Sequence, residues 1–194
     1  MSEMLYPISV EINGVMRNAQ IPARLSLVDW LRDELRLTGT HVGCEHGVCG
    51  ACSIMLDGEP VRSCLMYAVQ ADGHCVTTVE GLAKPDGSLS VLQDSFCQMH
   101  GLQCGYCTPG MLIAAHALLN TTSRPTEAQI REAIGGNLCR CTGYQQIVDA
   151  VMHAAERLAA QTANEKPLAL RERGGVREIF RAGPISRRSG ARYD

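Results

Sequence analysis

No apolar run in this sequence is long enough to span a bilayer, so no transmembrane helix is expected. The start, Met1-Ser-Glu-Met-Leu-Tyr-Pro7, has neither a twin-Arg pair nor an apolar signal core, which points to a cytoplasmic protein. Aromatic residues make up only 4% of the chain, and its basic stretch lacks aromatic interleaving, so nucleic-acid binding is not expected. What the chain does have is cysteine, ten in 194 residues. Without a secretory segment to deliver them to an oxidising compartment, clustered cysteines read as metal ligands rather than disulfides. The formal charge of -2 is uneven. From Glu165 onward eight Lys or Arg face four acids, so the tail carries +4 and the remainder -6.

The stretch Gly39-Thr-His-Val-Gly-Cys-Glu-His-Gly-Val-Cys-Gly-Ala-Cys52 places Cys44, Cys49 and Cys52 at C-x4-C-x2-C, with Cys64 following. This is the plant-type 2Fe-2S spacing. Three thiolates within nine residues must converge, so the backbone has to curl around bridging sulfides. Gly43, Gly47 and Gly50 allow backbone N–H groups to turn inward toward that negative charge. Zinc is the competitor, but its structural sites usually come as two short cysteine pairs rather than a triplet and one distant partner.

Around this loop the pattern is that of a small α+β unit. Ile8 to Ile12 and Val15 to Ile21 flank Asn13-Gly14, and Ser53 to Leu56 and Glu59 to Ser63 flank Asp57-Gly58. Both predict β-hairpins, the second delivering Cys64 to the loop. Ser26 to Asp29 caps a helix with Leu27, Trp30, Leu31 and Leu35 on one face, and His74 to Val79 reads as a closing strand. Beyond Pro85 the pattern turns helical. Leu89, Leu92, Phe96 and Met99 mark one helix, and Thr108-Pro109 caps a second with Leu112, Ala115 and Leu119 on one side. Thr126 to Gln129 opens a third, and Ile147, Val151, Ala154 and Leu158 stripe a fourth. The expectation is α+β: an N-terminal β-grasp, ferredoxin-like domain over 1–81, then an all-α four-helix bundle over 82–164, then a basic extension over 165–194.

A second cysteine set, Cys104-Gly-Tyr-Cys107 and Cys139-Arg-Cys141, lies at helix boundaries in the helical half. Two such loops at one end of a bundle can supply four ligands. On spacing alone, zinc and an iron-sulfur cluster both remain open here.

Together the first loop, Leu102-Gln-Cys-Gly-Tyr-Cys-Thr-Pro-Gly-Met111 and Gly136-Asn-Leu-Cys-Arg-Cys-Thr-Gly-Tyr144 resemble the iron-sulfur subunit of the xanthine dehydrogenase family of molybdenum hydroxylases, over roughly residues 5–160. The resemblance implies two 2Fe-2S clusters, one on Cys44, Cys49, Cys52 and Cys64, the other on Cys104, Cys107, Cys139 and Cys141. It implies a large partner subunit carrying a molybdenum-pterin cofactor and a medium partner carrying FAD, in a heterotrimer or a dimer of heterotrimers. It places Gln103 and Cys141 beside the pterin. By that resemblance the chain passes electrons from molybdenum toward flavin and has no catalytic residue of its own. A free-standing ferredoxin and a zinc-bound interaction module are the competing functions, and neither explains Gln103 to Pro109.

The remaining residues carry bland expectations. Cys75 and Cys97 read as buried small hydrophobes. His41 and His46 read as hydrogen-bonding or surface groups, since four cysteines already suffice. His100, His116 and His153 have no ligand spacing. Arg140, between two ligands, is a candidate for tuning the reduction potential or, equally, for a phosphate or subunit contact. The basic extension is expected to lie over a partner subunit. Substrate, final electron acceptor and higher oligomeric state are not legible in this chain.

Overall fold

The computed structural model describes residues 4–172. Strand β1 (Leu5–Ile12) alternates strictly in its second half, with Ile8, Val10 and Ile12 buried. It turns through Asn13 (φ 51°) and Gly14 (φ 79°) into β2 (Val15–Pro22), the two positive φ values that a two-residue hairpin turn of this twist requires. Asp57 (φ 49°) and Gly58 (φ 88°) make the same turn between β3 (Ser53–Leu56) and β4 (Glu59–Arg62). The closing strand β5 (Cys75–Thr77) is shorter than the sequence pattern predicts. It joins β1 in parallel and β3 antiparallel, giving a mixed five-stranded sheet of order β2-β1-β5-β3-β4.

Helix α1 (Leu27–Asp29) starts where Ser26 Oγ accepts from Asp29 N at 3.1 Å, and it continues as a π-type turn over Trp30–Glu34. Leu27, Trp30 and Leu31 are buried, and they pack with Ile8, Val10, Ile54 and Val76 into a core on one face of the sheet. The sheet and its covering helix are those of a ferredoxin-like unit.

The helices that follow are α2 (Val91–Gln98), α3 (Thr108–Thr121), α4 (Glu127–Ile134) and α5 (Gln145–Glu172). Ser90 with Gln93, and Thr126 with Gln129, form reciprocal capping boxes at α2 and α4. Thr108 is not the cap of α3. Cys107 holds that position, and Thr108 Oγ1 is buried without a hydrogen-bond partner.

The expected all-α four-helix bundle is corrected by this structure. Residues 4–160 form one compact unit, and α3 lies against β3 and β4 as well as against α4. Met55 of β3 sits in the same core as Met111, Ile113, Ile130, Ile147 and Val151. The physical reason lies in α3, where residues 109–115 are buried without interruption. A helix apolar all round is enclosed on every side, here by the sheet as well as by helices. In addition, α2 and α4 have eight residues each, about 12 Å of helix, which is short for a bundle wall.

Among the described residues no helix is long and apolar enough to cross a membrane. Of the basic extension, residues 165–172 continue α5, and the rest lies outside the described residues.

Candidate metal centre

The first cysteine loop runs from the end of the α1 segment to β3. Gly47 (φ 80°) and Gly50 (φ 76°) supply the left-handed backbone that curls it. Gly43 is needed for proximity instead, because a Cβ there would lie 3.1 Å from Cys49 Sγ. Cys49 N donates to Cys44 Sγ at 3.4 Å. The turn Ser63–Leu65, following β4, brings Cys64 against Cys52. The backbone N–H groups of Cys49 and His46 hold the Cys44 thiol down to about 6. Burial, then the neighbouring Cys52, pushes Cys64 up to about 11.

The second set forms where the start of α3 meets the loop between α4 and α5. Cys104 and Cys141 lie with their sulfurs 3.5 Å apart and are exposed, whereas Cys107 and Cys139 are half-buried and adjacent. Tyr106 N donates to Cys104 Sγ at 3.5 Å and Thr142 N to Cys139 Sγ at 3.5 Å. Burial, reinforced by Cys139, pushes Cys107 up to about 12. Burial works against ionisation of Cys139 too, yet the Thr142 hydroxyl and N–H hold its thiol below the ordinary value. The contact with Cys104 raises Cys141.

In both sets, therefore, four sulfurs fall into two adjacent pairs. Among the described residues no three His, Cys, Asp or Glu side chains gather around a single point as one metal ion would require. Two thiolates about 2.3 Å from one tetrahedral metal stand about 3.8 Å apart, close to the Cys104–Cys141 spacing. Two such pairs side by side fit a two-metal, sulfide-bridged group. The N–H groups aimed at sulfur suit thiolates bearing cluster charge. Burial disfavours the ionised forms of Cys64 and Cys107, the forms that a bound metal would favour.

The two sets are joined directly. Leu138 N donates to the Cys49 carbonyl at 2.9 Å, one residue before Cys139. The side chain of Asn137, only 2% exposed, donates to Gly50 O at 3.0 Å. The Tyr106 ring stacks on His41, and its hydroxyl donates to Val42 O. A cavity of about 170 Å³ reaches from Cys49 to all four cysteines of the second set.

Other candidates fall elsewhere. Gln103 is exposed on the loop before Cys104, and Arg140 is exposed between Cys139 and Cys141. His41 Nδ1 donates to Tyr106 O, and His46 Nδ1 to Cys44 O, so both are hydrogen-bonding groups. His100 is exposed, and burial lowers His116, which meets Asn120 at 3.1 Å. His153 Nδ1 is buried without a partner. Cys75 and Cys97 are exposed, contrary to the expectation of burial. The sequence singles out no role for Arg62, nor for Asn137 and Tyr144 within the quoted motif, and the Tyr144 hydroxyl accepts from Cys139 N at 2.9 Å.

Residues 10–80 match the 2Fe-2S iron-sulfur cluster binding domain, and residues 78–152 match the [2Fe-2S] binding domain. The chain is similar to caffeine dehydrogenase subunit gamma of Pseudomonas sp. (strain CBB1), at 57% identity over 74% of this chain and 87% of that protein. It is 48% identical to a probable xanthine dehydrogenase subunit of Bacillus subtilis (strain 168), over 71% of this chain and 78% of that protein. Its fold matches the crystal structure of quinoline 2-oxidoreductase from Pseudomonas putida 86 with a TM-score of 0.77 and 49% identity, covering 79% of this chain and 96% of that chain. Two 2Fe-2S-binding domains in this order, on this fold and at this identity, place the chain in one family: it belongs to the iron-sulfur small subunits of the xanthine dehydrogenase family of molybdenum hydroxylases.

Proposed function

We propose that this chain is the electron-relay subunit of a molybdenum hydroxylase complex, carrying electrons from a molybdenum-pterin site toward FAD on a partner subunit. A 2Fe-2S cluster, when bound, takes and gives one electron at a time. Cys44, Cys49, Cys52 and Cys64 would hold one, and Cys104, Cys107, Cys139 and Cys141 the other. The observation that carries the reading is the direct join between the sets, the Leu138 N–H on the Cys49 carbonyl at 2.9 Å. It ties a residue of one set to the neighbour of a residue of the other without intervening solvent.

The chain's own residues give the route a direction. Cys104 and Cys141 are exposed with Gln103 beside them, while Cys107 and Cys139 are half-buried. In this reading Gln103 and Cys141 meet the pterin of the large subunit. The face around Cys64, with Leu65 and Val48 exposed, is left for the flavin-bearing medium subunit. The complex is then a heterotrimer or its dimer, and substrate choice belongs to the subunit that holds molybdenum. The experiment is iron, sulfide and molybdenum analysis with low-temperature EPR on the complex isolated through a tag on this chain. Four iron and four acid-labile sulfide per chain are expected, with two reduced 2Fe-2S signals and co-purifying molybdenum. Two iron with zinc and no molybdenum would overturn the reading.

A further inference from the structure

Arg62 ends β4 two positions before Cys64, and its guanidinium reaches the loop of the other cysteine set. One amino group donates to Ser53 Oγ, next to Cys52. The other donates to Gly136 O at 2.7 Å and to Asn137 Oδ1 at 3.3 Å, just before Cys139. All three acceptors are neutral, so the hydrogen bonds that fix the fork leave its positive charge uncancelled. Arg62 is also half-buried, where a charge is screened less than at the surface.

We propose that Arg62 is a positioning residue shared by both metal sites, a fixed cation that makes each of them easier to reduce. The inference rests on the two-cluster reading. Uptake of one electron adds one negative charge to a site, and a cation held nearby favours that state. Because the fork is anchored to loops from both sets, its charge acts on both. Arg140 differs: it is exposed, between Cys139 and Cys141 of the second set.

The test is an EPR-monitored reductive titration of the iron-loaded full-length chain. Arg62→Gln is expected to lower the reduction equilibrium of both sites about tenfold, about 59 mV for a one-electron couple. Arg62→Lys, which keeps the charge, is expected to stay near wild type. Arg62→Met, a second neutral replacement of similar length, should reproduce the fall. It decides the matter should Arg62→Gln fail to hold iron. Unshifted potentials in whichever of these two variants holds iron overturn the role of Arg62, as does an Arg62→Lys fall as large as that of Arg62→Gln. A wild-type chain without two reduced 2Fe-2S signals overturns the cluster reading itself, and this inference with it.

Discussion

Replacing Gly110 by alanine puts a methyl group where the first turn of α3 touches the end of the first cysteine loop. The new Cβ would lie 2.2 Å from the Gly50 carbonyl oxygen and 2.7 Å from Asn137 Nδ2, against ordinary contacts of 3.4 Å or more. Neither neighbour can step aside freely. Gly50 O is backbone and also accepts from Ser53 Oγ at 2.6 Å, and Asn137 is held by both Gly50 and Arg62. The helix and the loop must therefore part by about 1 Å, the overlap to be relieved. Overpacking of this kind costs about 1–3 kcal/mol. Lengthening the Asn137–Gly50 hydrogen bond adds about 1 kcal/mol. A total of about 2–4 kcal/mol, at about 2–4 °C per kcal/mol for a domain of this size, predicts a fall in Tm of about 4–16 °C. The assay is a thermal melt of the iron-loaded chain followed by far-UV circular dichroism. A Tm within about 1 °C of wild type would refute the packing of α3 on the loop.

Other expectations are independent of that contact. Cys139→Ser should reduce iron from about four to about two per chain and remove one of two EPR signals, whereas Cys97→Ser should leave both. Loss of both signals from Cys97→Ser would show that the ligand sets are misassigned. Thr126→Ala removes the Oγ1 acceptor of Gln129 N and should cost about 1 kcal/mol in denaturant unfolding, with no change in iron content. The N–H of Cys75, then His74, holds the Asp57 carboxyl below its ordinary 3.8. Stability from that carboxylate is present above 3.8 and is lost as the pH falls through the lower folded value. Asp57→Asn should therefore flatten this acid limb of the stability profile, and an unchanged limb would contradict the linkage.

Both hairpins were legible because Asn13-Gly14 and Asp57-Gly58 announce their turns within a few residues, and Thr126 to Gln129 likewise announces a helix start. Both cysteine sets were legible as motifs for the same reason. The enclosure of α3 was not, because reading a stripe from Leu112, Ala115 and Leu119 overlooks that Gly110 before them and Ile113 and Ala114 between them are buried too. Arg62 and its partners Gly136 and Asn137 stand 74 and 75 residues apart, beyond the reach of any local pattern. The exposure of Cys75 and Cys97 follows from facing. Val76 points inward, so its strand neighbour points out, and α2 buries Leu92, Ser95 and Phe96 on the face away from Cys97.

Strand β3 turns consecutive residues to opposite sides: Ile54 enters the core under α1, and Met55 enters the core of the helices. The strand is thus a party wall between two rooms. The seam between the two matched domains, near residues 78–80, looks like a place to cut and exchange modules. A helical half excised there would leave without the wall that covers it. Chimeras between relatives should therefore carry residues 53–56 along with the helices, and a graft that transfers only the second match would expose apolar surface and aggregate.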